Sequence, residues 1–453
     1  MADADERTRI ALLLRRAGFD ARPDELERYL QLGLEATLQE LLHPEGVGEE
    51  FDGLLDSLQG HLLDLQNIED VQTWWLYRMV RTRRPLLEKL TLFWHGHFAV
   101  ANYKVQNPLA MHRHVELLRA KAFGSYRDML LAVSRDPAML IWLDGNTNRR
   151  VAPNENYGRE VLELYTLGIG NYSEADVQSA ARAFTGWNLR SGEFYFDPNQ
   201  HDGSPKTFLG QTSAFDGGDV IDVLVRHPAT ADRICRRLFS FFAYSDPEPE
   251  ALRPLVSIYL EQGYEIGRVV EAILRSDAFY SERSRYEHIK SPVEYVVSSV
   301  RKLGAQARER SLIQALRGMG QEILNPPNVA GWAGGRAWVN PSTLLERFNF
   351  AARLATARGE PNDGGLVRAS ELLGISGGLG DPQQVVDRLI DLLGGPELEP
   401  SARQALVDFV ASPLTYPPFV QGPPNAQQVQ LAVDARLRGA IHLALASTDY
   451  QVG

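Results

Sequence analysis

Residues 68–98 read IEDVQTWWLYRMVRTRRPLLEKLTLFWHGHF, and this stretch decides the fold class. Apolar and aromatic residues recur along it at the three- and four-residue spacing of a helix face, and do not alternate as in a half-buried strand. The residues that make this repeat are Trp74, Trp75, Tyr77, Met79, Val80, Leu86, Leu87, Leu90 and Phe93. Pro85 lacks a backbone N–H, so it divides the segment and predicts two successive helices.

The same helical spacing continues through residues 7–43, 108–142 and 220–315. No sequence repeat of fixed period is visible, which argues against a solenoid of stacked repeats. A chain of 453 residues is long enough to bury a full core without the help of disulfides or a structural metal. We therefore predict a mainly α protein with a multi-helical globular body.

Residues 188–219 interrupt this pattern, because Gly, Asp, Ser and Pro are concentrated there. Within them, Glu193–Phe196 and Lys206–Leu209 have the composition of two short strands around a turn. We expect a small β-hairpin or ordered loop inserted in one large helical domain that spans residues 1–453. The alternative is a sub-division into three parts, which would be residues 1–187, 188–219 and 220–453.

The composition narrows the class of protein. With a net charge of −11, the protein is not expected to have the basic surface of a nucleic-acid-binding protein. No window approaches 18 uninterrupted apolar residues, and the acidic N-terminus does not resemble a signal peptide, so we expect a soluble, cytoplasmic protein without a membrane partner. The single cysteine, Cys235, is expected to be a buried thiol. Neither a phosphate-binding glycine loop nor the nucleophile turn of an α/β-hydrolase is present.

A polar helix is predicted over residues 155–167, with Asn154 as its N-cap and Gly168 after its last turn. At 100° per residue its polar side chains share one face, and these are Glu155, Asn156, Arg159, Glu160 and Glu163. This face is either solvated, with surface ion pairs, or a polar seam whose carboxylates bind metal or transfer protons. We expect Arg159 to be buried against a carboxylate.

The loop before this helix has a spacing similar to that of a calcium-binding EF-hand loop. Asp144, Asn146 and Asn148 provide oxygen atoms at positions one, three and five, and Glu155 stands at position twelve. Position six is Arg149, where such a loop needs glycine, and its charge opposes a cation. The other interpretation is a corner in which Asn and Asp side chains satisfy loop backbone groups.

Histidines offer a second candidate metal site. His95 and His97 end the helix predicted after Pro85, and His201 lies in the inserted loop. Together with Glu160 they would form a nitrogen and oxygen ligand set for a divalent ion such as zinc, iron or manganese. A single histidine is more often a structural residue than a metal ligand, and spacing alone does not show that these histidines meet.

Two loops contain further candidates. His201, Asp202 and Lys206 are candidate catalytic residues because loops on rigid scaffolds often carry function, although they can equally form a turn. Trp332 and Trp338 lie in a loop rich in Gly and Pro, where their rings could line a pocket and stack on a sugar or another flat ligand. The alternative for this loop is simple packing over the core.

Short motifs along nearly the whole chain resemble those of the bacterial domain-of-unknown-function-1800 family. They include Trp94-His95, Asn154-Glu155-Asn156, Arg159-Glu160, Phe184-Thr185-Gly186-Trp187, His201-Asp202, Lys290-Ser291-Pro292-Val293-Glu294, Pro326-Pro327-Asn328-Val329, Gly331-Trp332 and Trp338. The resemblance implies one folded unit, and it implies no reaction.

Three functions follow from these observations as expectations. The first is a hydrolase-type enzyme, with or without a divalent metal ion, whose catalytic residues would be Glu160, Glu163, Arg159, His201, Asp202 and Lys206. Its ligand, a carbohydrate or another small polar molecule, would contact Trp332, Trp338, Asn154 and Asn156. The alternatives are a non-catalytic helical binding or scaffold protein and a calcium-stabilised structural protein.

Overall fold

The structure, a computed structural model, describes residues 4–49, 63–305, 309–356, 369–395, 398–416 and 423–452. Helices dominate these residues, as the sequence predicts. The α-helices in them are, in chain order, α1 (Ala4–Arg16), α2 (Pro23–Leu32), α3 (Leu34–Leu42), α4 (Ile68–Arg81), α5 (Pro85–His97), α6 (Asn102–Val105), α7 (Pro108–Lys121), α8 (Tyr126–Arg135), α9 (Pro137–Trp142), α10 (Glu155–Glu160), α11 (Glu174–Ala183), α12 (Gly217–Arg226), α13 (Pro228–Phe242), α14 (Pro249–Glu261), α15 (Ile266–Arg275), α16 (Glu282–Glu287), α17 (Pro292–Leu303), α18 (Glu309–Gly318), α19 (Pro341–Thr356), α20 (Ala369–Leu372), α21 (Pro382–Leu392), α22 (Pro400–Ala411) and α23 (Ala426–Ala446). None of the helices within these ranges combines the length and the apolar character needed to cross a membrane.

Proline marks many of the helix starts. Residues 68–98 form α4 and α5, as their apolar spacing predicts, and Pro85 is the first residue of α5. Proline suits this position because the first N–H groups of a helix have no partner within the helix. Ten of the helices in the described ranges begin at a proline in this way. In these ten helices, the start is therefore marked by the local sequence.

One continuous hydrophobic core runs through the described residues, from Ile10 in α1 to Tyr450 after α23. Helix α4 packs against α17 and α18, α5 against α7, α13 against α14, and α19 against α23. Cys235 of α13 is fully buried, as expected, and this burial raises the pKa of its thiol. Helices distant in sequence thus share one interior, which positions α5, α13 and α17 around the site described below.

The predicted β element is present near residues 188–219, but it consists of two hairpins where the sequence predicted one. Strand β1 (Trp187–Arg190) pairs with β2 (Glu193–Phe196), and β3 (Lys206–Phe208) pairs with β4 (Gln211–Ser213), both antiparallel. The two predicted strands are therefore present, but each belongs to its own hairpin. Both turns have two central residues with positive φ, which is the geometry that matches the twist of a two-residue hairpin.

The polar helix predicted over residues 155–167 is α-helical only in its first part. After α10 the chain continues as a π-helix, Val161–Tyr165. The N–H groups of Leu167 and Gly168 both donate to the carbonyl of Leu162, at 2.8 and 3.1 Å. Gly168 then ends the helix with a φ of 80°, as expected of a glycine at this place.

Candidate functional site

A cavity of about 460 Å³ lies where α5, α13 and the start of α17 meet the loop before α19. We call it the tryptophan cavity, and its defining residues are Arg236, Arg237, His288, Glu294, Trp332 and Trp338. Both tryptophans that the sequence suggests for ligand binding therefore line one cavity. The motif segments around Ser291 and around Trp332, which lie far apart in the chain, also meet here.

Residues 319–340, which join α18 to α19 and which we call the tryptophan loop, contact both α5 and α6. The N–H of Leu324, a residue with a φ of 64°, donates to His95 Nε2 at 3.1 Å, and its carbonyl accepts from the N–H of Asn102 at 2.9 Å. Further along, Gly331 has a φ of 79°, and a Cβ there would lie 2.6 Å from the carbonyl oxygen of Gly96. Only glycine fits such a close approach. These contacts hold Trp332 and Trp338 against the cavity.

His288 and Glu294 form a hydrogen-bonded pair at the cavity. Glu294 is the third residue of α17, and its carboxylate accepts the N–H of Ser291 at 2.7 Å in a reciprocal capping box. The same carboxylate accepts from Nζ of Lys89 at 2.5 Å. His288 Nε2 lies 3.1 Å from both of its oxygens. The start of α17 thus fixes the carboxylate, and the carboxylate fixes the imidazole.

Electrostatics keep this imidazole neutral. Burial lowers the pKa of His288 to about 4, and the nearby Arg16 guanidinium acts in the same direction. Burial alone would raise the pKa of Glu294, but Lys89 and His288 hold it well below its usual value. Because an ionised carboxylate only accepts hydrogen bonds, the imidazole proton is on Nε2 and Nδ1 is an acceptor. Nδ1 has no protein partner among the described residues and is not shut off from the accessible surface.

Two consecutive arginines of α13 line the same cavity but differ in their surroundings. Arg236 pairs with Asp232, with an N–O distance of 3.3 Å. Arg237 has no hydrogen bond and no carboxylate within 4 Å among the described residues. Burial lowers the pKa of Arg237 to about 10, and the like charge of Arg233 adds to this. The cavity therefore contains one compensated and one uncompensated positive charge.

The predicted metal ligands do not come together. His95 accepts the Leu324 N–H, while His97 Nε2 lies 3.1 Å from the Tyr126 hydroxyl, and both imidazoles are fully buried among aromatic rings. No group of three or more His, Cys, Asp or Glu side chains in the described ranges is placed to hold a metal ion. The set of His95, His97, His201 and Glu160 is therefore not a ligand cluster, because the two helix-end histidines serve core hydrogen bonds.

The candidate residues of the inserted loop, His201, Asp202 and Lys206, make hydrogen bonds and ion pairs that hold the insertion in place. Lys206 is buried, and its Nζ donates to the carbonyls of Asp202, Ser204 and Phe215. The carboxylate of Asp202 pairs with Arg182 at 2.7 Å. His201 Nδ1 lies 2.9 Å from the carbonyl of Thr185. The alternative of a turn fits these contacts, and Lys206 is enclosed within it.

The polar face of α10 is close to the surface. Arg159 is paired with carboxylates, as predicted, at 2.7 Å from Glu174 and 3.4 Å from Glu155, but its side chain is 36% exposed. Its predicted burial is therefore wrong. Glu163 accepts from the Tyr172 hydroxyl at 2.6 Å. Glu160 has no hydrogen-bond partner within the described ranges, and burial together with Glu163 raises its pKa.

Asn154 and Asn156 organise the corner before α10. The side-chain oxygen of Asn154 accepts the N–H of Asn156 at 2.9 Å, as expected of an N-cap. Asn156 Nδ2 and Lys104 Nζ donate to one oxygen of Asp144, at 3.2 and 2.9 Å. The side-chain NH2 of Asn148 donates to the carbonyl of Ala181, and its side-chain oxygen accepts the N–H of Asn154. The contacts match the loop-corner interpretation of this segment, because its oxygens already accept hydrogen bonds.

Sequence reasoning identified the two tryptophans of the cavity and missed its charged residues. Glu294 was noted only as part of a motif, and His288 and Arg237 were not noted. The signals were the histidine two residues before Lys290 and an arginine pair within the apolar stretch of α13. Neither signal is specific, because their proximity arises from tertiary packing.

The comparisons with known proteins bear on the identity of the whole chain. Neither the curated proteins nor the solved structures yield a match. A family model described as "Protein of unknown function (DUF1800)" matches residues 12–452, nearly the full length. The chain therefore belongs to the DUF1800 family.

Proposed function

We propose that the protein is a hydrolase-type enzyme in which His288, held by Glu294, is the general base of the tryptophan cavity. The observation that supports this is the state of the imidazole. Its Nε2–H is directed to a buried carboxylate, its Nδ1 has no protein partner among the described residues, and the residue itself lines the cavity. A neutral, oriented imidazole of this kind is able to take a proton from water at neutral pH.

The proposed reaction needs no further proton carrier. His288 Nδ1 takes a proton from water as the water oxygen bonds to the electrophilic carbon, phosphorus or sulfur of the substrate. The imidazolium then gives a proton to the leaving group when the scissile bond breaks, so His288 is neutral again. Glu294 is a positioning residue, because it orients the ring and stabilises the imidazolium without contacting the substrate.

A second candidate function, ligand binding without catalysis, is favoured by the tryptophan rings themselves. Flat aromatic surfaces beside polar groups suit a small polar ligand whether or not it reacts. This candidate differs from the first in one respect, because it does not need the His288 imidazole to change its protonation state.

The test is hydrolysis of a panel of 4-nitrophenyl acetate, phosphate, sulfate and glycosides by purified protein. We expect at least one ester to be cleaved, and His288→Gln to lower kcat by about 10²-fold or more. His201→Gln is the matched control, because that half-buried histidine lies in the insertion and its loss should change kcat little. The acid limb of kcat/KM is expected near pH 4, the pKa of His288, and not near 6.5. An active enzyme whose rate is unchanged in His288→Gln would refute the proposal, and no cleavage of any substrate in the panel would favour plain binding.

A further inference from the structure

We propose that the ligand of the tryptophan cavity is a small organic anion whose carboxylate, phosphate or sulfate group binds Arg237. This deepens the function proposed above and rests on the same cavity, but it concerns recognition and not chemistry. Two features of the cavity support it, namely the charges that line the cavity and the hydrogen-bond donors that the protein leaves without acceptors.

The positive charge of Arg237 is not balanced by the protein. The ionisable groups that act on it are Arg233, which repels it, and the neutral Tyr126 hydroxyl. Arg233 itself donates to the carbonyl of Leu164 and has no carboxylate within 4 Å in the described ranges. A buried or partly buried arginine normally has an anionic partner, because desolvation of a lone charge is costly. Arg237 therefore lacks the anionic partner that an arginine in such a position normally has.

The carboxylates of the cavity are already engaged. Glu294 interacts with Lys89 and His288, and Glu287 accepts from Arg283 at 2.9 Å. Asp232 pairs with Arg236 on the same helix as Arg237. Since each of these anions has its own cation or imidazole, the missing partner of Arg237 has to come from outside the described protein.

Arg237 lines the cavity, and its guanidinium nitrogens are free of hydrogen bonds to the described residues. None of these nitrogens is shut off from the accessible surface. The side-chain NH2 group of Gln321, whose oxygen accepts the N–H of Val293, and the indole N–H groups of Trp332 and Trp338 likewise have no acceptor within the described ranges. The cavity is thus rich in unused donors, which match the several acceptor oxygens of a carboxylate, phosphate or sulfate.

The tryptophans define the rest of the ligand. Trp332 and Trp338 line the same cavity as the unused donors, so aromatic side chains border the space that the anion would occupy. A ring or another flat apolar group attached to the anion would pack there. The cavity volume of about 460 Å³ lies within the range of small-molecule sites. The ligand class is therefore an oxyanion on a flat organic group, as opposed to a free inorganic anion.

The test is calorimetric titration of the full-length protein with benzoate, phenyl phosphate and phenyl sulfate, with benzamide as the neutral analogue and inorganic phosphate and sulfate as ring-free anions. We expect one of the aromatic anions to bind at least about tenfold more tightly than benzamide and than its ring-free counterpart. Arg237→Gln should weaken that binding by about tenfold or more, since a charge-assisted hydrogen bond is lost. Arg236→Gln, the matched control on the same helix, should weaken it less because Asp232 already compensates that charge.

His288→Gln separates this inference from the proposed function. It should lower kcat by about 10²-fold or more and leave the binding of the aromatic anion largely intact, because the charged partner of that anion is Arg237. Circular dichroism and the melting temperature verify that each variant is folded, and Arg237→Lys provides a second variant that keeps the charge. The inference is wrong if benzamide binds as tightly as the anions, if no anion binds, or if a folded Arg237→Gln binds as wild type does.

Discussion

The Nε2 atom of His288 lies 3.1 Å from both carboxylate oxygens of Glu294. The carboxylate that holds this imidazole is also the third residue of α17 and the partner of the Lys89 ammonium. The pair is therefore part of the helical framework. A residue placed by a helix start and a buried ion pair is held more rigidly than one on a free loop, which favours an oriented base.

Removing the ammonium partner of Glu294 should destabilise the fold strongly. Lys89 is buried and within 2.5 Å of that carboxylate, so Lys89→Met leaves a buried charge without its cation. We expect a loss of about 3–5 kcal/mol in the free energy of unfolding, measured by urea titration. Lys104→Met is the control, because its pair with Asp144 is about 40% exposed and should contribute less than about 1 kcal/mol. Equal losses for the two variants would contradict this assignment.

Stability should fall in acid because of the buried histidines. Burial lowers the pKa of His95 to about 3, so the folded protein keeps this ring neutral while the unfolded chain binds a proton below about pH 6.5. The unfolded state thus binds more protons between those two values, and stability decreases as pH falls through this window. The expected slope is about 1.4 kcal/mol per pH unit for each such histidine.

Urea midpoints measured from pH 7.5 to 4.5 test this pH dependence. His95→Gln should flatten the slope by removing one titrating group, whereas His43→Gln, on an exposed histidine, should leave it unchanged. A slope that is the same in all three proteins would show that His95 is not held neutral by the fold.

Arg237 should decrease the stability of the ligand-free protein. Its guanidinium has no carboxylate within 4 Å in the described part of the chain, and Arg233 repels it. Arg237→Met removes the uncompensated charge and keeps most of the apolar volume, so the free energy of unfolding should rise by about 1 kcal/mol. Arg236→Met should give no such gain, because it breaks a pair with Asp232. A clear destabilisation by Arg237→Met would indicate that the protein itself supplies a partner.

Lys206 and Arg159, both predicted from the sequence to be catalytic, should differ in their contribution to stability. Lys206 is buried and donates to three carbonyls, so Lys206→Met should cost about 2 kcal/mol or more. Arg159 pairs with carboxylates but is 36% exposed, so Arg159→Ala should cost less than about 1 kcal/mol. Thermal unfolding of the two variants gives the comparison, and the reverse order would contradict the burial described for them.

The helices could be predicted from the sequence because their signals are local. The apolar spacing of residues 68–98 and the proline at position 85 define α4 and α5 without reference to the rest of the chain. The hairpins were harder, because the strand Glu193–Phe196 could pair in either direction along the chain. Its partner is chosen by the preceding Ser191-Gly192 turn, whose positive φ angles suit a two-residue hairpin.

The site could be predicted only in part, because its residues meet through tertiary packing. Trp332 and Trp338 indicate a pocket because they are aromatic residues in a Gly-rich loop. By contrast, the burial of His95 and the exposure of Arg159 depend on which helix covers them, and no local pattern specifies that. The lone charge of Arg237 is harder still, since it is defined by a partner that is missing from its surroundings.

Because Gly331 lies close to the carbonyl of Gly96, the shape of the cavity is fixed independently of the side chains that would contact a ligand. Main chain meets main chain there, so the distance between the loop and α5 does not depend on the side chains that face the ligand. Trp332 could then be exchanged for a smaller or more polar residue without moving the loop that carries it. Such a scaffold lends itself to altered ligand preference by single substitutions, a property that both natural divergence and laboratory redesign can use.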